Sequence, residues 1–331
     1  MRVLITGATG FVGAWTAKAV YDHGHHVRLL ARDPERAAAV AAELGFDGGD
    51  VVRGDMTDAE QVRTALNGCD AVVHAAAVVA LDPAAAERMI RSTVTGAENV
   101  LGQPVAAGLD PVVSVSSAVA LWHPRCPLLH PDLQPGGGAD AYGESKARVE
   151  RYARGLQRAR APVVITYPSS VLGPAVAGRF GESGDAVGAF LRSGIPGRGA
   201  AFPVADVRDV AEAHARLLEP GLGPRRSVIA GHHLTGAELA AQLSAISGRR
   251  VRHHRVPDAA LVAAGTLADL FRDRLPPSLR KLGAAGARYL VDSPPADNSA
   301  AGRDLGLTFR PVRQTLEELL ADRRRLRATR S

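Results

Sequence analysis

The sequence predicts an α/β fold: a Rossmann-type doubly wound parallel sheet with a smaller, mostly helical C-terminal substrate domain. Three observations carry this. The chain opens on an apolar run, Val3-Leu4-Ile5, that enters a glycine-rich turn and then a helical stretch. Strand-like and helix-like segments alternate through the first half, the rhythm of parallel βαβ units. At 331 residues the chain is long for one core, which predicts a main domain and a companion.

Each element follows from its own residues. The turn Thr6-Gly7-Ala8-Thr9-Gly10-Phe11-Val12-Gly13 leads into a helix over 11–21. Strand, glycine turn and helix together suit a dinucleotide pyrophosphate. Glycine permits the tight turn, backbone approach to the phosphates and close helix–strand packing. The helix N-terminus adds free N–H groups and a positive dipole end. Gly7, Thr9, Gly10, Phe11, Val12 and Gly13 are therefore candidate cofactor-binding residues. A second strand is predicted over 26–32, and Pro34 opens the next helix in the first-turn position that proline favours. Further strands are predicted over 50–53, 70–74, 111–117 and 162–167. The helices between them fall over 58–66, 83–107 and 141–158.

After Pro168 the texture changes to glycine- and proline-rich chain, with a helical piece near 185–192. A helix over 207–218 and a short strand over 227–230 follow. Residues 1–172 are thus expected to form the nucleotide-binding domain, with 202–230 returning to it. Residues 173–201 and 231–331 are expected to form the substrate-binding region.

Composition narrows the function. The chain is 46% hydrophobic and 22% charged, ordinary for a globular protein. Its formal net charge of +6 is scattered, and aromatics are only 4%, so no stacking surface for nucleic acid is predicted. The arginine-rich end, Arg323 to Arg327, reads as the solvated face of a last helix. No apolar run reaches membrane-spanning length, the longest being 71–81 with His74 inside it. Two cysteines, Cys69 and Cys126, form neither a disulfide framework nor a metal motif and suit a reducing cytoplasm. The histidine pairs 25–26, 232–233 and 253–254 are adjacent, so in a strand they point to opposite faces; no metal site is expected.

The chemistry concentrates in Tyr142-Gly143-Glu144-Ser145-Lys146, at the start of a predicted helix. Positions i and i+4 share a face, so the Tyr142 phenol and the Lys146 ammonium can meet one reacting centre. A free phenol titrates near 10, and a neighbouring cation lowers that value toward useful acid–base chemistry. Only three of the 40 basic residues are lysines: Lys18, Lys146 and Lys281. A chain that uses arginine almost everywhere keeps a compact ammonium here. Ser117, at the end of the fifth strand, lies where such sheets bind ligands and can hydrogen-bond a substrate carbonyl.

Together these residues resemble the extended short-chain dehydrogenase/reductase superfamily, the NAD-dependent epimerase/dehydratase family. The resemblance covers most of the chain and rests on TGATGFVG (6–13), GDMTD (54–58), HAAA (74–77), SVSSA (114–118), YGESK (142–146) and YPSSVLGP (167–174), with FPVADVRDVAEAH (202–214) in support. It implies Ser117, Tyr142 and Lys146 as the catalytic set, with Ser116 as the alternative serine. Tyr142 would transfer the proton, and Lys146 would hold the nicotinamide ribose and lower the Tyr142 pKa. The resemblance also places Asp55 and Met56 near the adenine, Ala75 and Ala76 near the ribose, and Pro168 and Val171 near the nicotinamide. It suggests a homodimer through the helices at 83–107 and 141–158.

At the end of the second strand, Arg32 suits a 2′-phosphate and Arg36 is near. NADP(H) is therefore preferred, while Asp33 keeps NAD(H) open. Sugar-nucleotide epimerases of the family often carry an arginine where this chain has Tyr167. The motifs lie nearer the dihydroflavonol-reductase and hydroxysteroid-dehydrogenase branch. The expectation is an NADP(H)-dependent oxidoreductase interconverting a carbonyl and an alcohol on a small apolar substrate. An NAD-dependent epimerase/dehydratase and a non-catalytic NAD(P)-binding redox sensor are the alternatives.

Overall fold

The computed structural model describes residues 1–48, 50–77, 86–271 and 283–328. The expected helix start at Pro83 and Lys281 lie outside the described residues. The first half alternates as the sequence indicates: β1 (Arg2–Thr6), α1 (Phe11–Asp22), β2 (His26–Ala31), α2 (Pro34–Glu43), β3 (Asp50–Arg53), α3 (Ala59–Leu66), β4 (Ala71–His74), α4 (Ala86–Ala106), β5 (Val112–Val115), a one-turn α5 (Ala118–Leu121), α6 (Ala141–Arg158) and β6 (Val163–Pro168). These six strands join one parallel sheet, completed by β10 (Arg225–Ile229), in the order β10-β6-β5-β4-β1-β2-β3. Strand order reverses between β1 and β4, and there the carboxyl ends open a crevice.

Both faces of the sheet are buried, as the unbroken apolar strands require. Leu4, Val72, Val112 and Ile165 face one layer with residues of α3, α4 and α6. Val3, Ile5, Val73, Val113 and Val164 face the other, beneath α1, α2 and α8 (Val207–Arg216).

Downstream the chain leaves the sheet at Ser169. The two-residue β7 (Val171–Leu172), α7 (Gly181–Ser193), β8 (Ile195–Pro196) and β9 (Ala201–Asp206) precede α8; β11 (His232–Thr235), α9 (Gly236–Ser247), β12 (His253–His254) and α10 (Asp258–Leu270) follow β10. Then come α11 (Ala284–Val291), α12 (Ser299–Leu305) and α13 (Val312–Ala328). The expected return of 202–230 to the main sheet needs correction. Residues 201–206 pair with β7 and β11 in a separate three-stranded sheet, and the return is made by α8 and β10. The edge of the main sheet beside β6 is taken by β10, so β9 must pair elsewhere. Phe180, Phe202, Leu239 and Leu316 close this second core.

The histidine pairs bind backbone. His232, His233, His253 and His254 each bond a carbonyl oxygen, of Arg310, Ser293, Gly197 and Ser193 respectively. Two buried histidines pin the main domain. His214 bonds Thr16 at 2.9 Å and Thr166 at 3.0 Å, tying α8 to α1 and β6. His74 bonds the Thr6 hydroxyl at 2.7 Å across β4 and β1.

Burial pushes both imidazoles down to about 3; Lys146 adds to the effect at His74. The unfolded chain takes up these protons below its ordinary histidine value of 6.5, whereas the folded chain does so only near 3. Stability is therefore lost as pH falls from 6.5 toward 3. Thermal melts between pH 8 and pH 4 should show a melting temperature that declines below about 6.5, and His214→Asn should flatten that decline. A wild-type melting temperature constant across the range would contradict neutral core histidines.

Candidate active site

Four strand ends meet at the switch point. Gly7 follows β1, Ala75 and Ala76 follow β4, Ser116 and Ser117 follow β5, and Pro168 ends β6. Gly7 adopts φ +79°, and a Cβ on it would stand 2.6 Å from the Ala76 nitrogen. A Cβ on Gly13 would collide with the Gly7 carbonyl oxygen. Gly10 is the N-cap of α1 and brings no capping side chain, and the first turn holds no acidic residue. This cradle fits a pyrophosphate: backbone N–H groups at a helix N-terminus, with no carboxylate of the described residues bonded to them. Phe11 and Val12 turn their side chains into a cluster with Val171, Val207 and Val210, so what they offer an anion is their backbone N–H groups. Thr9 is half-buried in the same turn.

Around this cradle the other expected cofactor residues take distinct places. Asp55 accepts hydrogen bonds from the Thr57 amide and hydroxyl, each at 2.9 Å, which fixes the turn after β3. The Met56 side chain fills the space above Gly96 on α4, and its carbonyl accepts from Asn99 at 3.0 Å. Pro168 and Val171 are buried at the ends of β6 and β7. Asp33 caps α2, its carboxylate accepting from the Arg36 amide at 3.0 Å. Arg32 is exposed and makes no hydrogen bond or ion pair among the described residues.

The helix α6 carries the reactive pair. Asp140 caps it by accepting from the Gly143 amide at 2.9 Å, which sets Tyr142 in the first turn and Lys146 one turn on. Lys146 is 6% exposed and donates to the Val115 carbonyl at 3.0 Å. Its nitrogen stands 6.0 Å from the Tyr142 ring centre. Burial pushes Lys146 down to about 8, and Glu150 draws it back up. The Ser117 hydroxyl accepts from the Val119 amide at 3.3 Å as the N-cap of α5, and from that place it lowers the Tyr142 phenol. Ser116 is instead buried against β6, its amide bonded to the Thr166 carbonyl at 2.9 Å. Of the two serines, Ser117 is the one that acts on Tyr142.

One expectation is reversed. The phenol stands above its ordinary value, because burial and then the Glu182 carboxylate on α7 raise it more than Ser117 lowers it. The Tyr142 phenol is therefore protonated, not a phenolate, across the neutral range.

The sequence reading missed Tyr289. Its hydroxyl accepts from the Ala139 amide at 2.7 Å and donates to Asp140 at 3.0 Å, so α11 holds the N-terminus of α6. The Trp122 ring packs edge-on against it at 5.2 Å, and the indole N–H donates to the Asp292 carbonyl at 2.7 Å. Nothing at position 289 announces this, since Asp140 lies 149 residues away. Glu182 was missed for the same reason of distance along the chain.

Known proteins are similar to this chain. The family model described as the NAD dependent epimerase/dehydratase family matches residues 3–230. Cinnamoyl-CoA reductase 1 of Oryza sativa subsp. japonica is 30% identical over 265 residues, 72% of this chain and 73% of that protein. Sterol demethylase protein B of Methylococcus capsulatus is 27% identical over 97% of this chain and 98% of its own. The structure of a UDP-glucose-4-epimerase from Stenotrophomonas maltophila with bound NAD superposes with a TM-score of 0.76 at 18% identity, covering 99% of each chain, which is a likeness of fold.

The crowding at Gly13 makes a prediction. Gly13→Ala must displace the turn at a cost of about 1–3 kcal/mol, the usual range for overpacking. The variant should melt several degrees lower and bind NADPH at least tenfold more weakly in a fluorescence titration. Unchanged affinity would mean that the turn does not hold the cofactor.

Proposed function

The chain belongs to the NAD-dependent epimerase/dehydratase family, and from that premise we propose that it is an NADP(H)-dependent oxidoreductase. It interconverts a carbonyl and an alcohol on a small apolar molecule. The observation that carries this reading is the grouping of Tyr142, Lys146 and Ser117 at the carboxyl edge of the sheet, with the Lys146 nitrogen 6.0 Å from the Tyr142 ring centre.

The turn residues 7–13 would hold the cofactor pyrophosphate, and Lys146 would hold its nicotinamide ribose. When bound, the cofactor supplies the hydride that the protein itself lacks. In reduction, Ser117 orients the carbonyl oxygen, and Tyr142 gives its proton to that oxygen as negative charge develops there. The ammonium of Lys146 then stabilises the phenolate left behind until a solvent proton restores it. In oxidation the same groups act in reverse, with Tyr142 having to lose its proton first.

NADPH is preferred because Arg32 is free to meet a 2′-phosphate while the nearby Asp33 carboxylate is engaged in capping α2. An apolar substrate is supported by Trp122 and Tyr289 beside the catalytic helix. The two relatives, named a cinnamoyl-CoA reductase and a sterol demethylase protein, support it too.

Oxidation of NADPH and NADH against a panel of apolar ketones and aldehydes tests the reading. NADPH should be preferred, and Tyr142→Phe should lower the rate at least about a hundredfold, the lower end of what a general acid contributes. Arg32→Ala should weaken NADPH binding by about tenfold or more and leave NADH binding unchanged, as loss of a charge-assisted hydrogen bond requires. The rate should fall above pH 8, where Lys146 loses its charge. Retained cofactor with no net turnover would point to an epimerase, and turnover surviving in the Tyr142 variant would remove that residue from the chemistry.

A further inference from the structure

Four side chains, each four residues beyond the last, run down the buried face of α6: Tyr142, Lys146, Glu150 and Arg154. Glu150 is 0% exposed and Arg154 is 6% exposed. The Glu150 Oε1 accepts from Arg154 Nε at 2.6 Å and from the Tyr167 hydroxyl of β6 at 2.5 Å. Arg154 also donates to the Pro131 carbonyl at 2.9 Å and to the Tyr167 oxygen at 3.2 Å. The second carboxylate oxygen, Oε2, is buried and meets no hydrogen-bond donor among the described residues.

We infer that Glu150 is the buried counter-ion of Lys146, a positioning residue that keeps the catalytic ammonium charged from one helical turn behind it. This rests on the reading of Lys146 as part of the active site. A buried ammonium with a single carbonyl partner is costly unless a negative charge stands near. Among the described residues, His74 on β4 is neutral, Tyr142 on α6 and Tyr167 on β6 are protonated, and the Glu182 and Asp140 carboxylates act on Tyr142, while Glu150 acts on Lys146.

Arg154 follows Glu150 by one further helical turn, so by position on the helix the carboxylate is the nearer of the two charges to Lys146, and the guanidinium bonded to it reduces the attraction. Arg154 and Tyr167 pin the carboxylate in place, and Glu150 is the group that raises Lys146 against its burial.

The three-lysine composition makes the test direct. Lysine labelled with ¹³C at Cε and ¹⁵N at Nζ gives three side-chain signals, and Lys146→Met assigns one of them. In the wild type the Lys146 signal should titrate near pH 8. In Glu150→Gln the midpoint should fall by about one unit or more, the effect of losing a close opposite charge. Glu150→Asp should bring it most of the way back.

Glu150→Gln leaves Arg154 unpaired and can fail to fold, so the double variant Glu150→Gln/Arg154→Met is decisive. Removing both partners of a buried pair is tolerated far better than removing one. If Glu150 is the counter-ion, the midpoint falls in the double variant too. An unmoved midpoint in the folded double variant overturns the inference and leaves Glu150 as a structural clamp. No substrate enters this measurement, so it stands apart from the proposed activity. The high-pH decline of kcat/KM should then shift with the midpoint; a moved midpoint with an unmoved decline sustains the counter-ion and removes Lys146 from the reaction.

Discussion

Everything in the main domain depends on how closely the turn between β1 and α1 approaches its surroundings. Gly13 is in contact with the Gly7 carbonyl, and Gly7 with the backbone after β4, at separations that no Cβ allows. That contact lets α1 start directly above the point where strand order reverses. It brings the ends of β1, β4, β5 and β6 to one crevice. The same approach leaves the first amides of α1 without a capping side chain, so the glycines that permit the packing also leave N–H groups open to an anion. A turn with side chains at these positions would move α1 outward. The His214 link from α8 to Thr16 would then be lost.

Burial, more than any single charge, sets the chemistry of the crevice. It lowers Lys146 and His74 and raises Tyr142, all toward their neutral forms. Ionic character then survives only where partners are close, and α6 gathers those partners on one face. Tyr167 stands where sugar-nucleotide epimerases of the family often have an arginine. In this chain Arg154 of α6 provides a guanidinium and Tyr167 a hydroxyl, both on Glu150, so two neighbouring elements hold the buried carboxylate.

Much of this was legible in the residues. The strands are apolar because both faces of a parallel sheet are buried, and the glycine turn, the i, i+4 spacing of Tyr142 and Lys146, and the lone lysine on that helix are local signals. Other features depend on contacts distant in sequence. The phenol was expected to be lowered by Lys146, yet its titration is governed by burial and by Glu182, which sequence spacing does not show. The small sheet escaped notice because β7 has only two residues and pairs with β9 thirty residues later. Ser117 could be separated from Ser116 only by the alternation of a strand whose end was uncertain by one residue. The stripe from Tyr142 to Arg154 was readable by spacing. Its meaning was not, since a buried face and a solvated face of charged residues have the same spelling.

The C-terminal region completes the site mechanically. The N-terminus of α6 would be held by its Asp140 cap alone if α11 were absent. Tyr289 adds two hydrogen bonds at that cap, and Trp122 packs against the Tyr289 ring and anchors to the Asp292 carbonyl. Tyr142 therefore stands on a helix whose first turn is clamped from the nucleotide domain by α5 and from the substrate side by α11. In the proposed reaction a carbonyl bound between them would meet a phenol whose position is set by both halves of the chain. A phenol is protonated at neutral pH in any case, so what the fold adds for the proposed proton transfer is that fixed position, which the clamp at Asp140 supplies.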